Sequence, residues 1–210
     1  MTAIVAVEEN KSLKKKVRIS AKASGSDGVS LGMYTGEKYY MKDMIQAMLT
    51  MSACDCAMAI AEGTSGSADR FMKTMNKKVK KIGCKHTKFA TPSGLRSIKE
   101  HYTTAYDLSL ITKRAYENDT IRKMLKKQTY FFKSLSGRKR TIRSTNELLN
   151  SKKNYCIGKT GSGWTAHYCF TGVYTYKGHT YVITTLGSTS EWGRWSDARK
   201  MMEACRSYIK

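Results

Sequence analysis

The stretch that most restricts the fold runs from Asn154 to Tyr174, NYCIGKTGSGWTAHYCFTGVY. Gly158-Lys159-Thr160 copies the tail of the phosphate-binding loop G-x-x-x-x-G-K-[ST]. That loop requires its first glycine at position 153, where Lys153 stands, and it must run straight into a helix whose N-terminus carries the phosphates. Here Gly161-Ser162-Gly163 is followed by an aromatic and β-branched run, the composition of a strand. Strand, turn and strand in succession exclude the nucleotide loop. The same pattern predicts three antiparallel strands over Tyr155–Gly158, His167–Tyr176 and His179–Leu186, the last two joined at Lys177-Gly178.

The chain before this sheet reads differently. Residues 2–9 have the character of a helix end, and Lys16–Ser20 and Tyr34–Tyr40 are short extended pieces. Asp43 is read as the N-cap of a helix bearing Met44, Ile45, Met48 and Leu49, which breaks near Ser52. A second helix resumes over Cys56–Ala61 and stops at Gly63. Ser67 caps a third, with Phe71, Met75 and Val79 on one face and Gly83 past its end. Thr103 or Thr104 opens a fourth through Tyr106, Leu108, Ile111 and Ala115. Tyr130-Phe131-Phe132 and Arg140–Arg143 flank Ser136-Gly137 as a hairpin. Ser196 starts a terminal helix with Ala198, Met201, Met202 and Cys205 inward. Helices in the middle and an antiparallel sheet at the end, with no internal repeat, predict an α/β architecture that segregates the two, in one domain over residues 1–210.

Charge narrows the surroundings more than the chemistry. The formal net charge of +22 arises from 38 Lys and Arg against 16 Asp and Glu, with clusters such as Lys14-Lys15-Lys16 and Arg138-Lys139-Arg140. Such a surface attracts polyanions. Anionic cell-wall polymers and anionic membrane surfaces both suit it, and no helix-turn-helix, zinc-finger or RNP-type motif points to a specific nucleic acid. Met1 to Val7 is too short for a signal-peptide core and lacks a basic segment before it, and no transmembrane stretch follows.

Taken together, the motifs carry more. Ser52-Ala53-Cys54 lies at a break between two helices, and Lys159-Thr160-Gly161 follows a strand about one hundred residues later. This order resembles the serine penicillin-binding proteins, whose signature is S-x-x-K, then S-x-N, then K-T-G, and within them the D-alanyl-D-alanine carboxypeptidase family of low molecular mass. The resemblance extends along MTAIVAVEE, YTGEKYYMKDMIQAMLTMSACDCAMAIAE, FMKTMNKKVKKIG, HTKFATPSGL, HYTTAYDLSLI, TNELL and GKTG, in the family's order. It implies a β-lactamase/transpeptidase-like fold, a helical part plus an antiparallel sheet. The family's S-x-x-K-[IL]-M-T-A segment would put the nucleophilic serine about five residues ahead of Met1. The resemblance therefore implies an N-terminally shortened domain without its first strands and nucleophile, inactive as it stands. Ser12 to Lys15 repeats the S-x-x-K spacing but follows a helix instead of heading one.

Roles follow by resemblance, residue by residue. Ser52 is the proton relay toward the leaving D-alanine. Lys159 and Thr160 hold the terminal carboxylate by ammonium charge and hydroxyl, with Gly161 completing the motif, and Arg194 stands near that carboxylate. The N–H of Ser162 is the oxyanion donor. Cys54 occupies the asparagine position of S-x-N, and because a thiol is a poor donor the site would be weakened there. The implied partner is a peptidoglycan peptide ending in D-Ala-D-Ala, with β-lactams reacting only once the nucleophile is supplied. No cofactor and no metal are implied, and the family's place is outside the cytoplasm, at the wall or membrane. Read by itself, each residue has a plainer meaning. Ser52 is also an ordinary helix breaker or cap, Lys159 a solvated strand-end lysine and Arg194 a surface charge. A nonenzymatic peptide-binding or basic interaction domain thus stands as the alternative. Cys54-x-Cys56 and Cys84-x-His86 are spaced too tightly for a structural zinc site. Cys156 and Cys169, on neighbouring strands, are the one cysteine pair to inspect for a bridge, and His101, His167 and His179 read as structural or surface residues.

Overall fold

The computed structural model describes residues 1–95 and 100–209. At its centre lies α1 (Thr2–Glu9), whose Ala3, Ile4, Val5 and Ala6 are all buried. A helix apolar on every side belongs in a core. It packs on α3 (Met41–Met51), α4 (Cys54–Ser65), α5 (Ala68–Ile82), α6 (Ala105–Glu117) and α7 (Asp119–Leu125). Ahead of α3, the strands β1 (Lys16–Arg18) and β2 (Lys38–Tyr40) pair antiparallel with Val17 opposite Tyr39, and α2 (Ala21–Ser24) is a single turn between them. The hairpin β3 (Thr129–Lys133) and β4 (Lys139–Arg143) turns about Gly137, in the left-handed region at φ 97°, and plants Phe132 and Ile142 in the same core. Full burial of each such side chain contributes about 1.5–3 kcal/mol.

Several boundaries differ from the sequence reading, each for a physical reason. Asp43 does not cap α3. The helix begins at Met41, which is fully buried, and Asp43 sits in its first turn accepting a 2.6 Å hydrogen bond from the Tyr130 hydroxyl. Gly63 does not end α4 either. A Cβ there would come within 2.9 Å of both Val17 methyl carbons, so this glycine permits close packing on β1, and Gly66 at φ 78° is the terminator. Asn118 restarts the chain as α7 by accepting from the Ile121 N–H, a helix the sequence reading left out. Ser67, Gly83 and Thr104 cap as expected.

The last sheet has the order β5 (Cys156–Gly163), β6 (His167–Tyr176), β7 (His179–Ser188), antiparallel throughout. Gly158 faces Gly172 across the β5–β6 ladder, and the Phe170 ring lies over both. A Cβ on Gly158 would sit 2.4 Å from the Thr171 carbonyl oxygen. α8 (Glu191–Ser207) covers one face of the sheet, burying Trp195, Ala198 and Met202 against Phe170, Tyr174 and Ile183. It starts ahead of Ser196, with Ser190 as its cap, and Met201 turns outward because Trp195, Ala198 and Met202 already fill the inward face. Cys156 points into this same layer, so by strand alternation Ile157 and Lys159 point the other way, toward the helices. Cys156 and Cys169 are not opposed. Their partners in the ladder are Tyr174 and Gly161, and both thiols are free. Cys84 and His86 both bond Asp107, the thiol donating to the Asp107 carbonyl and the His86 backbone N–H to its carboxylate.

Candidate active site

Where the helical part meets the inward face of β5, a groove of about 340 Å³ opens. Its floor comes from the α3–α4 junction. Ser52 ends α3 in the left-handed conformation (φ 65°, ψ 33°), its N–H held by the Met48 carbonyl at 3.1 Å. For a residue with a Cβ this costs on the order of 1–2 kcal/mol, and it aims the hydroxyl out of the helix into the groove.

The wall opposite is β5. Lys159 reaches across 107 positions of chain to donate a hydrogen bond to Ser52 Oγ, and a second one, 3.0 Å long, to the Thr160 carbonyl. Burial, with the nearby Arg194 charge, pushes the Lys159 ammonium down to about 8, while Cys54 opposes the shift. Thr160 shares a 2.7 Å hydroxyl–hydroxyl bond with Thr145, whose N–H is held by the Thr50 carbonyl at 3.0 Å. The segment after β4 is thereby tied to both sides of the groove. Asn146, almost fully buried, continues this tie by donating 2.9 Å to the Cys156 carbonyl on β5.

At the far end stands Arg194, only 2% exposed despite its charge. Its guanidinium donates to Ser162 Oγ at 3.1 Å and to the Gly161 carbonyl at 3.4 Å, and rests 4.7 Å from the Trp195 ring centre. Glu191 Oε1 takes the other arm at 2.9 Å. Lys159, Thr160, Gly161, Ser162 and Arg194 therefore line one groove with Ser52 and Cys54. Among the described residues, two cations against the single carboxylate of Glu191 leave it suited to an anionic group.

Cys54 lies at the mouth of α4, its thiol directed at the Ser52 carbonyl (3.6 Å), with its pKa raised by burial and by the neighbouring Asp55. Asp55 is fully buried and was not singled out in the sequence. One carboxylate oxygen accepts from Ser30 Oγ (2.8 Å) and from the N–H groups of Leu31 (3.0 Å) and Met33 (3.4 Å), and the other from the Cys56 N–H. It binds the 29–33 loop to the start of α4, and Val29 of that loop lines the groove. Glu191 and Thr145 are also groove residues that the sequence reading missed. An acidic residue in the first turn of a helix and a threonine in a TN pair are common local signals, so nothing short of the fold marks them. His101 is structural, accepting from the Ala90 N–H with its ring edge-on to Phe89.

Comparison with known proteins gives this geometry its context. The family profile described as D-alanyl-D-alanine carboxypeptidase matches residues 1–190. D-alanyl-D-alanine carboxypeptidase DacF of Bacillus subtilis is 29% identical over 191 residues, covering 91% of this chain and 49% of its own length, so the chain spans about half of that relative. The D-alanyl-D-alanine carboxypeptidase of Streptomyces sp. strain K15 is 31% identical over 96% of this chain and 75% of its own. The crystal structure of the K15 protein, described as a DD-transpeptidase, superposes with a TM-score of 0.88 at 30% identity, covering 96% of this chain and 83% of that one. Solved variants of it replace a serine and a cysteine two positions apart, and a serine and an arginine 32 positions apart. The D-alanyl-D-alanine carboxypeptidase of Mycobacterium tuberculosis superposes with a TM-score of 0.90 at 25% identity, covering all of this chain and 79% of that one.

Proposed function

This chain belongs to the D-alanyl-D-alanine carboxypeptidase family, and on that premise we propose that its groove binds a peptidoglycan peptide ending in D-Ala-D-Ala for acyl transfer to a serine. The observation that carries the reading is the hydrogen bond from Lys159 to Ser52, which joins a helix junction to a strand 107 positions away. One proton relay and one carboxylate clamp must serve a single scissile bond, and so they must converge. Ser52 passes a proton toward the leaving D-alanine. Lys159 and Thr160 hold its carboxylate, and Arg194 adds charge and fixes Ser162. The Ser162 N–H faces the developing oxyanion. Support also comes from spacing: Ser52 and Cys54 are two positions apart and Ser162 and Arg194 are 32 apart, as are the residues replaced in the K15 variants. A cysteine two residues after a serine is thus shared with a named DD-transpeptidase, and Cys54 by itself is no sign of a damaged site.

The nucleophile is the remaining part. Among the described residues no S-x-x-K heads a helix: Ser12 precedes β1, Ser136 lies in the β3–β4 turn and Ser207 closes α8. These 210 residues on their own therefore bind the peptide and form no acyl-enzyme, and they fold as one unit around the groove. The working place is the cell wall outside the cytoplasm, and among the described residues no helix is long and apolar enough to cross a membrane.

The test uses this chain directly. Incubation with penicillin followed by intact-protein mass spectrometry should show no covalent adduct, and a stoichiometric adduct on Ser52 would overturn the assignment of Ser52 as a relay. Titration with a D-Ala-D-Ala peptide should show binding that Lys159→Ala weakens about ten-fold or more, the loss of a charge-assisted bond of about 1.5–3 kcal/mol. Binding indifferent to Lys159 would remove the carboxylate-clamp role.

A further inference from the structure

At the opposite end of β5, a pocket of about 580 Å³ shares no lining residue with the groove. Four tyrosines and four cations line it, and among the described residues no carboxylate does. Two other hollows on the surface are basic, and in both a carboxylate reaches the cations: Glu37 lies 3.6 Å from Arg138 in the one lined by Tyr34, Tyr39, Phe132, Arg138, Lys139 and Arg140, and the second, between α5 and α6, holds an acidic pair. There Glu8 and Glu9 pair with Lys78, and Glu8 also pairs with Arg114.

The cations of the β5 pocket are of two kinds. Arg206 is fixed. Its Nε donates 2.8 Å to the Tyr174 hydroxyl and its Nη2 donates to the Lys153 carbonyl at 3.0 Å, while the guanidinium lies 5.6 Å and 6.0 Å from the ring centres of Tyr174 and Tyr176. Those two rings are themselves parallel, with 10° between their planes. Lys126, Lys152 and Lys153 are exposed around this fixed centre, free to close on a ligand. Tyr155, 42% exposed, adds a ring face at the rim. A planar guanidinium held on stacked aromatics and ringed by unneutralised lysines fits a ligand with both negative charge and a ring face.

We propose that this pocket is a second binding site, for a phosphate-bearing glycan, in which the sugar ring lies on Tyr155 and Tyr176 while Arg206 and the lysines hold the phosphate. The choice of a glycan over nucleic acid rests on the cell-wall reading above, whereas the aromatic and cationic character of the pocket does not. Such a site would hold the protein on an anionic wall polymer while the groove, facing the other end of the strand, remains open to the peptide.

The experiment titrates the whole chain with four probes at about 0.15 M salt: a short sugar-phosphate oligomer, a neutral oligosaccharide of equal length, inorganic tripolyphosphate, and single-stranded RNA. The sugar-phosphate oligomer should bind tightest. Tyr155→Ala and Lys152→Ala, both at exposed positions, should each weaken it at least about five-fold. A Lys77→Ala/Lys81→Ala double variant, which removes more charge from the hollow between α5 and α6, should change it less than about two-fold, and D-Ala-D-Ala peptide binding should be unmoved by Tyr155→Ala. Equal losses from the distant lysine pair would reduce the effect to net charge and overturn the site. Tripolyphosphate binding as tightly, with Tyr155→Ala harmless, would remove the sugar. Tightest binding of RNA would replace the glycan with nucleic acid. Loss of glycan binding without loss of peptide binding separates this site from the groove, so either reading can fail alone.

Discussion

Ser52 and Lys159 depend on each other in a way that pH exposes. Burial and the Arg194 charge lower the Lys159 ammonium to about 8, well below its ordinary value. The clamp needs the charged form, so affinity for a carboxylate-terminated peptide should fall as pH rises through about 8. Lys159→Arg, which stays charged, should flatten that fall even if its bulk lowers the affinity throughout. Stability runs in the opposite sense. Above about 8 the unfolded chain still holds the proton that the folded one has released, so this group adds stability as pH rises from about 8 toward the ordinary lysine range. Peptide titrations at pH 7 and pH 9 on both proteins check the first effect, and a rise in Tm over the same interval that Lys159→Arg removes checks the second. An affinity in the unaltered protein that is level across pH 8 would mean that Lys159 is not the carboxylate partner.

At the scale of elements, the groove is assembled by short junctions more than by the helices and strands themselves. The three antiparallel strands were legible from their aromatic and β-branched composition, but β5 runs on to Gly163, past the Gly158 at which composition stops it, because Lys159 to Gly163 pair with Thr171 to His167 across the ladder. Caps at Ser67, Thr104 and Gly83 were legible because each is a local hydrogen bond or a local φ angle. The start of α3, the true end of α4 and the onset of α8 were not, because each is decided by a distant packing partner: the core around Met41, Val17 against Gly63, and the sheet under Trp195. Within the site, the seven residues read from the motifs do line one groove, whereas Asp55 was invisible because its importance lies in a loop more than twenty residues earlier. Asp55→Ala would leave the N–H groups of Leu31 and Met33 and the Ser30 hydroxyl without their buried acceptor. The expected cost is on the order of 3 kcal/mol or more in urea unfolding, with faster amide exchange at Leu31 and Met33. Unchanged exchange at those two amides would show that the loop is held by other contacts.

Over the whole molecule, the site lies on the seam between two separately packed layers, the helical core around α1 and the sheet with α8. Ser52 belongs to the first and Lys159 to the second, so their hydrogen bond reports that the layers are in register. The N-terminal end of α1 comes to the same seam. Thr2 Oγ1 donates 2.6 Å to the carbonyl of Pro92, and Pro92 lines the groove. One further helical turn ahead of Thr2 advances about 5.4 Å along the axis, starting from a residue tied to the groove wall at Pro92. The S-x-x-K spacing puts a serine and a lysine on one face of such a turn, where the lysine can take the serine's proton. Joining a Ser-x-x-Lys-Leu segment to Met1 should therefore give a protein that releases D-alanine from a D-Ala-D-Ala peptide and acquires a penicillin adduct on the added serine. In that longer protein Lys159→Ala should lower kcat/KM about ten-fold or more, and Ser52→Ala should lower kcat with KM less affected, because a proton relay acts chiefly in the transition state. An extended protein that is folded by thermal melting, binds the peptide and yet neither releases D-alanine nor acylates would leave this groove as a peptide-binding site and favour the nonenzymatic role.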